Sequence, residues 1–227
     1  AVINSTPVAT LQAILQYHVL GTKVISSAVP AGPNGEVATL GGVKLFATKN
    51  ANGVYVNGVK VITADVSASN GVIHVIDRVL TPPAGNIVVT AQAVPTLSYL
   101  VAAVLRADAS GTSISGALSA AGPLTVFAPT NQAFIDAGFP TIASINAADP
   151  NTLKNILLYH VIAARVFSSD LTEGAQPATV QGGKVTIKLA GGAKVRGISN
   201  TADSDIAITD IVTTNGVVHV INKVLLP

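Results

Sequence analysis

Four histidines, His18, His74, His160 and His219, are the side chains of this sequence best suited to bind a metal, carry a proton or activate a nucleophile. Two follow a tyrosine, as Tyr17-His18 and Tyr159-His160, and two sit inside apolar runs, Val72-Ile73-His74-Val75-Ile76 and Val217-Val218-His219-Val220-Ile221. None has a second His or an acid at ligand spacing, so no metal site is expected. The competing reading is that each ring ties backbone groups together within an apolar run, because buried polar groups are normally satisfied. His160 could also sense pH if exposed. Cys is absent, which removes disulfides, thiolate ligands and thiol nucleophiles. The chain has no Gly-x-Ser-x-Gly, no His-Glu-x-x-His and no phosphate-cradling glycine loop. A Ser-His-Asp set assembled from distant positions is the one catalytic arrangement left open. No catalytic residue and no cofactor is expected.

The elements that position these residues can be read from periodicity. Leu153, Ile156, Leu157, His160 and Val161 share one helical face, which predicts a helix over 149–162 with Asp149 as cap and Pro150 in its first turn. Thr6 and Pro7 repeat the cap and proline, shifted by one residue. Neighbours on a helix point about 100° apart. His160 is therefore expected to face the core and Tyr159 to lie at its margin, with a structural and a contact role both open for the pair. Leu97, Leu100, Val101, Val104 and Leu105 predict a second helix over 95–106. Thr130 is placed to cap a short helix through Phe134, and Asn131 to hold the turn after Pro129. For Asp210 the structural alternative is a turn or cap acceptor.

Strands show as alternation. Val185, Ile187 and Leu189 alternate with Lys184, Thr186 and Lys188, and Val43 and Leu45 flank Lys44. Asn57-Gly58 between Val54-Tyr55-Val56 and Val59-Lys60-Val61 predicts a hairpin with a type I′ turn. Gly41-Gly42 and Gly182-Gly183 sit where turns are needed. The run from Val217 to Leu226 is almost wholly apolar, as in a strand buried on both faces. Helices precede strands, so the expected class is α+β.

The order of these features occurs twice. Leu11 to Val19 recurs as Leu153 to Val161 at an offset of 142, and Asn70 to Leu80 recurs as Asn215 to Leu225 at 145. Gly41-Gly42 is matched to Gly182-Gly183 at 141, and Asp65-Val66 to Asp210-Ile211 at 145. A period near 143 is domain-sized rather than solenoid-sized. The expected organisation is a first copy over 1–83 and a second over 86–227, joined at Pro82-Pro83-Ala84-Gly85. The first copy lacks counterparts of 88–142. A chain that begins late, loss by proteolysis, and completion by a neighbouring chain all remain open as its origin.

Composition excludes other classes. Of 227 residues 49% are apolar and 11% charged, the opposite of a disordered chain. The net charge is +2 with no run of three basic residues, and the four Tyr and five Phe do not cluster, so nucleic acid is not an expected partner. The uncharged stretch from Val79 to Leu105 is broken by Pro82, Pro83, Gly85 and Pro95, so no transmembrane segment is expected.

Gly122-Pro123-Leu124-Thr125-Val126-Phe127-Ala128-Pro129-Thr130-Asn131-Gln132-Ala133-Phe134, then Tyr159-His160, then Asn215 to Ile221 with Val224-Leu225-Leu226-Pro227, resemble in order the signature segments of fasciclin-type domains. The resemblance implies a wedge-shaped β-sandwich with packed α-helices, here duplicated, and a secreted, periplasmic or surface-anchored protein. It implies non-enzymatic adhesion or matrix interaction with a protein or glycan partner. It also points to two contact segments. One is the Tyr-His region, here Tyr159 and His160, with Tyr17 and His18 in the first copy. The other is the Asp-Ile motif, here Asp210 and Ile211, with Asp65 in the first copy; the flanking Thr209 and Val212 depart from the pattern of animal members. Two further readings stand beside adhesion. One is a self-assembling surface subunit, a homo-oligomer completed by segment exchange. The other is a polysaccharide binder, which would need an aromatic-lined groove.

Overall fold

The computed structural model describes residues 6–227, and the chain divides into two compact units that meet in sequence between Pro82 and Pro83. The first five residues of the expected 1–83 segment lie outside the described residues.

The first unit holds helix α1 (Val8–Tyr17) and five strands, β1 (Gly32–Ala38), β2 (Lys44–Asn50), β3 (Gly53–Val56), β4 (Val59–Ala68) and β5 (Gly71–Ile76). They form one antiparallel sheet in sequence order. The expected β3–β4 hairpin is present: Val56 faces Val59, and Asn57 and Gly58 have φ of 50° and 77°, the double positive pair of a I′ turn. The Asn57 side chain does more than turn the chain. Its carbonyl accepts from Phe46 N at 2.9 Å, and its amide donates to the Tyr17 hydroxyl at 2.9 Å. Pro7 occupies the cap position of α1 without a side-chain cap hydrogen bond, one residue earlier than the first-turn site expected for it.

The second unit begins with α2 (Ile87–Gln92), a 3-10 turn at Pro95–Leu97, α3 (Ser98–Asp108) and α4 (Ile114–Ser119). Strand β6 (Leu124–Pro129) follows, then α5 (Asn131–Asp136), α6 (Ile142–Ala147), α7 (Pro150–Tyr159) and β7 (Val161–Ile162). The chain ends with β8 (Thr186–Lys188), β9 (Lys194–Arg196), β10 (Ser204–Thr213) and β11 (Gly216–Ile221). The sheet order is β7-β6-β11-β10-β9-β8, with β6 and β11 parallel and the remaining neighbours antiparallel. This is an α+β fold.

Strands β6 and β11 are buried on both faces, as the apolar run from Val217 predicts. Val126, Ala128, Val218 and Val220 point into a core shared with the helices, while Phe127 and Ile221 point into a second core with Tyr159, Val185, Ile187 and Val195. Burying a side chain of this size contributes about 1.5–3 kcal/mol. Helix α3 is central to the helical layer and contacts α2, α4, α5, α6 and α7. Helix α7 is capped by Asp149, whose carboxylate accepts from Thr152 N at 2.8 Å. It ends at Tyr159, short of the expected 162, because Val161 and Ile162 leave the helix to pair with β6.

The first unit differs at the corresponding place. Strand β5 pairs only with β4 among the described residues. Ile73 and Val75 are 56% and 44% exposed there, against 1% and 2% for Val218 and Val220 on β11. What closes β11 is β6 and the helical layer.

Asn215 stitches that layer to the sheet. Its buried amide donates to Leu118 O and Ala120 O at 2.8 and 2.7 Å, and its carbonyl accepts from Ile87 N at 3.0 Å. Asn215→Ala orphans an N–H and two carbonyls at once, so it should destabilise the chain by about 2–4 kcal/mol in denaturant unfolding. A loss below about 1 kcal/mol would mean that water replaces the amide.

Candidate functional site

The sequence-selected residues of the second unit fall into two constellations, both built to hold backbone. The first lies where α7 ends. His160 is buried directly after the last helical turn. Its Nδ1–H donates to Ile156 O at 2.8 Å, and its Nε2 accepts from Leu225 N at 2.8 Å. The ring thus joins the helix terminus to the segment that follows β11. Burial pushes its pKa down to about 4, although the bond to Ile156 favours the charged form.

Tyr159 is fully buried, which corrects the expectation that it lies at the core margin. Two cores explain this. His160 lines the helical one, and Tyr159, pointing elsewhere, enters the one behind the sheet. The Tyr159 hydroxyl donates to Lys184 O at 2.5 Å and accepts from Ile198 N at 3.0 Å. A Cβ on Gly183 would come within 2.8 Å of the tyrosine ring, so the turn over that ring requires glycine. Tyr17 and His160 are likewise buried. Neither these two nor Tyr159 offers a side chain to a partner in this conformation, whereas His18 and Asp65 are exposed.

The second constellation surrounds His219, which is buried and stacked on Phe127 at 5.7 Å. Its Nδ1 accepts from Asp210 N at 3.3 Å, and its Nε2–H donates to Val166 O at 2.9 Å. Burial lowers its pKa, against the opposing pull of the Asp210 carboxylate. Asp210 has φ of 63° at an irregularity of β10, and this left-handed backbone turns its carboxylate toward Ser168. The carboxylate accepts from Ser168 N at 2.7 Å and from the Ser168 hydroxyl. The acceptor role read for Asp210 is thus what the geometry displays. Ile211 is half-buried against the helical core.

Ser168, Asp210 and His219 are the residue types of a hydrolytic triad, but the order of bonding is wrong for one. The serine donates to the aspartate, and both histidine nitrogens are occupied by backbone, leaving no base for the hydroxyl.

The first unit carries the same bonds. Asp65, with φ of 60°, accepts from Ser26 N at 2.9 Å and from the Ser26 hydroxyl at 2.5 Å, which holds its carboxyl below the usual range. His74 accepts from Asp65 N at 3.4 Å and donates to Val24 O at 2.8 Å. His18 donates to Ile14 O at 2.7 Å and accepts from Leu80 N at 3.0 Å, and Tyr17 donates to Lys44 O at 3.3 Å. These bonds also reset one register. Gly42 N donates to Thr39 O and Gly182 N to Thr179 O, both at 3.0 Å, which pairs Gly42 with Gly182 at an offset of 140 rather than 141.

Two site features were not read in advance. Ser168 and Ser26 lie far in sequence from the aspartates they bond, with nothing local to reveal the link. Asn131 reaches beyond its own turn: its carbonyl accepts from Tyr99 N at 3.0 Å, and its amide donates to Pro95 O and Ser98 Oγ, both at 3.1 Å. An asparagine behind a capping threonine was the available signal, but its distant partners were not.

The second unit is an α+β fold whose buried histidines and tyrosine are bonded to backbone. The fasciclin domain family matches residues 3–82 and 96–227, and the chain belongs to that family. It is 35% identical to human periostin over 81% of its length, which is 21% of periostin. It is 38% identical to protein sll1483 of Synechocystis over 67% of its length and 79% of that protein. It is 32% identical to the pig transforming growth factor-beta-induced protein ig-h3 over 83% of its length, or 26% of that relative. The chain thus spans about a quarter of the two animal relatives. The fold resembles a FAS1 domain pair from the insect cell adhesion molecule fasciclin I, with a TM-score of 0.53 at 20% identity over 96% of this chain and 81% of that one. No described helix is long and apolar enough to cross a membrane.

Two predictions follow from the buried ties. Tyr159→Phe strands Ile198 N and Lys184 O, and should cost about 1–3 kcal/mol in denaturant unfolding while the chain still folds. His160 holds its proton less tightly folded than unfolded, so its stabilising effect is complete above pH 6.5 and lost as pH falls toward about 4. The full shift is worth on the order of 3 kcal/mol. Stability measured from pH 7 to 4 should fall in that window, and His160→Asn should flatten the slope by up to about 1.4 kcal/mol per pH unit. An unchanged slope would contradict the assignment.

Proposed function

We propose that the chain is an extracellular adhesion module that binds a protein partner through the surface its buried tyrosine holds in place. The observation that carries this reading is Ile198. Its backbone N–H is bonded to the Tyr159 hydroxyl, yet the residue is 81% exposed. The loop is tied down directly after it. Ser199 N donates to Leu226 O at 3.2 Å, Asn200 Nδ2 donates to Val224 O at 2.9 Å, and Leu226 N donates to Asn200 Oδ1 at 2.8 Å. An apolar side chain presented on a rigid loop loses little entropy when it enters a partner's pocket, which is the usual character of a binding anchor. On this reading Tyr159 and His160 serve contact indirectly, as positioning residues, and Asp210 holds the separate segment at Ser168. The kinship with adhesion proteins supports the same conclusion.

Ile198→Asp should reduce cell or matrix attachment to the immobilised chain at least tenfold without moving its melting temperature. Undiminished attachment would overturn the proposed surface, and attachment that a soluble polysaccharide competes away would replace the protein partner with a glycan.

A second reading rests on β5. Its edge, unpaired among the described residues, with Ile73 and Val75 exposed, suits strand addition and so self-assembly. Light scattering should then show mass rising with concentration, and Val75→Lys should suppress it. A constant monomer mass would rule this reading out.

A further inference from the structure

The helical side of the second unit contains a cavity of about 410 Å³. It opens to the surface on one side, and a cleft of this volume with a mostly apolar lining has the usual form of a small-molecule site. Its floor is the sheet, at Val126, Ala128 and Val218, and its walls include Ile87 and Ala91 of α2 and Val104 of α3. His160 lines it too, but both ring nitrogens are already bonded to backbone, so the ring offers only its carbon edge. The exposed lining residues mark the mouth: Gln92, Leu105, Ser113, Gly116 and Ser119. No Asp, Glu, Lys or Arg lines the cavity.

Leu105 gives the second observation. Its periodicity places it with the buried residues of α3, yet it is 61% exposed at the mouth. An occupant emerging from the cavity would cover it. The volume fixes the size of that occupant. At about 30 Å³ per heavy atom, the share of a water molecule in the liquid, the cavity holds roughly 12–15 atoms. The lining fixes its chemistry. An apolar interior takes a hydrocarbon chain, the amide and hydroxyls at the mouth take an uncharged polar head, and the absence of any cation disfavours an ionised carboxylate or phosphate.

We infer that the second unit binds one single-chain neutral lipid, a fatty alcohol or ester of roughly 12–14 carbons, with its chain between α2, α3 and the sheet and its head at the serine-lined mouth. The site is independent of the Ile198 surface and stands whether or not that surface binds a partner.

Native mass spectrometry of the full chain with 1-dodecanol, and displacement of Nile red in solution, test this. Dodecanol should bind one molecule per chain, at least tenfold more tightly than dodecanoate at pH 8. Ala91→Phe should fill the cavity and Ser119→Trp obstruct its mouth, each weakening dodecanol at least tenfold; the mouth variant guards against misfolding of the other, because Ser119 is exposed. No binding, dodecanoate binding as tightly as dodecanol, or a folded Ser119→Trp chain with undiminished affinity would overturn the inference.

Discussion

The fold depends on neutral imidazole rings used as rigid two-ended connectors. A neutral histidine has one donor and one acceptor at fixed geometry, and each described histidine spends both on backbone. His160 closes the end of α7 against the segment after β11, and His219 clamps the left-handed turn at Asp210 to the segment before Ser168. The two rings adopt opposite tautomers, because His160 donates from Nδ1 and His219 from Nε2. A proton added to either would replace an acceptor with a donor facing a backbone N–H. Burial makes that outcome costly, and this is why both groups titrate low.

Buried polar ties of this kind also hold two segments nearer the surface. Tyr159 fills the core behind the sheet and holds the backbone of an exposed isoleucine through its hydroxyl. Asp210 spends a strained backbone angle to reach Ser168. Strands β6 and β11, buried on both faces, separate two cores, and the helical one retains an apolar cavity. The same ties recur in the first unit, but in a more exposed setting, since no described strand or helical layer closes β5.

Much of this was legible in the sequence wherever the cause was local. The I′ turn at Asn57-Gly58, the caps at Asp149 and Thr130, and the doubly buried β11 are each written in adjacent residues. The kinship of the two histidine pairs followed from spacing alone. What escaped was long-range. The periodicity of α7 assumed one core and so misplaced Tyr159, because a residue turned away from the helical layer can be buried only if a second core lies behind the sheet. The reach of Ser168 to Asp210, of Asn131 to Pro95 and of Asn215 to Leu118 could not be read from their neighbours, since in each case the partner is a backbone group or side chain brought close only by the finished fold. The cavity escaped for the same reason. Ala91 and Leu105 look like ordinary core positions until the space between their helices is seen.

The claim on which all of this rests, that buried neutral rings of fixed tautomer hold the scaffold, is open to direct observation by nitrogen-15 NMR of the imidazole side chains between pH 7 and 4. His160 should show a protonated Nδ1 and a bare Nε2, His219 the reverse, and neither should begin to titrate near pH 6.5. Averaged tautomers, or midpoints for both rings at the value of a free histidine, would contradict the account.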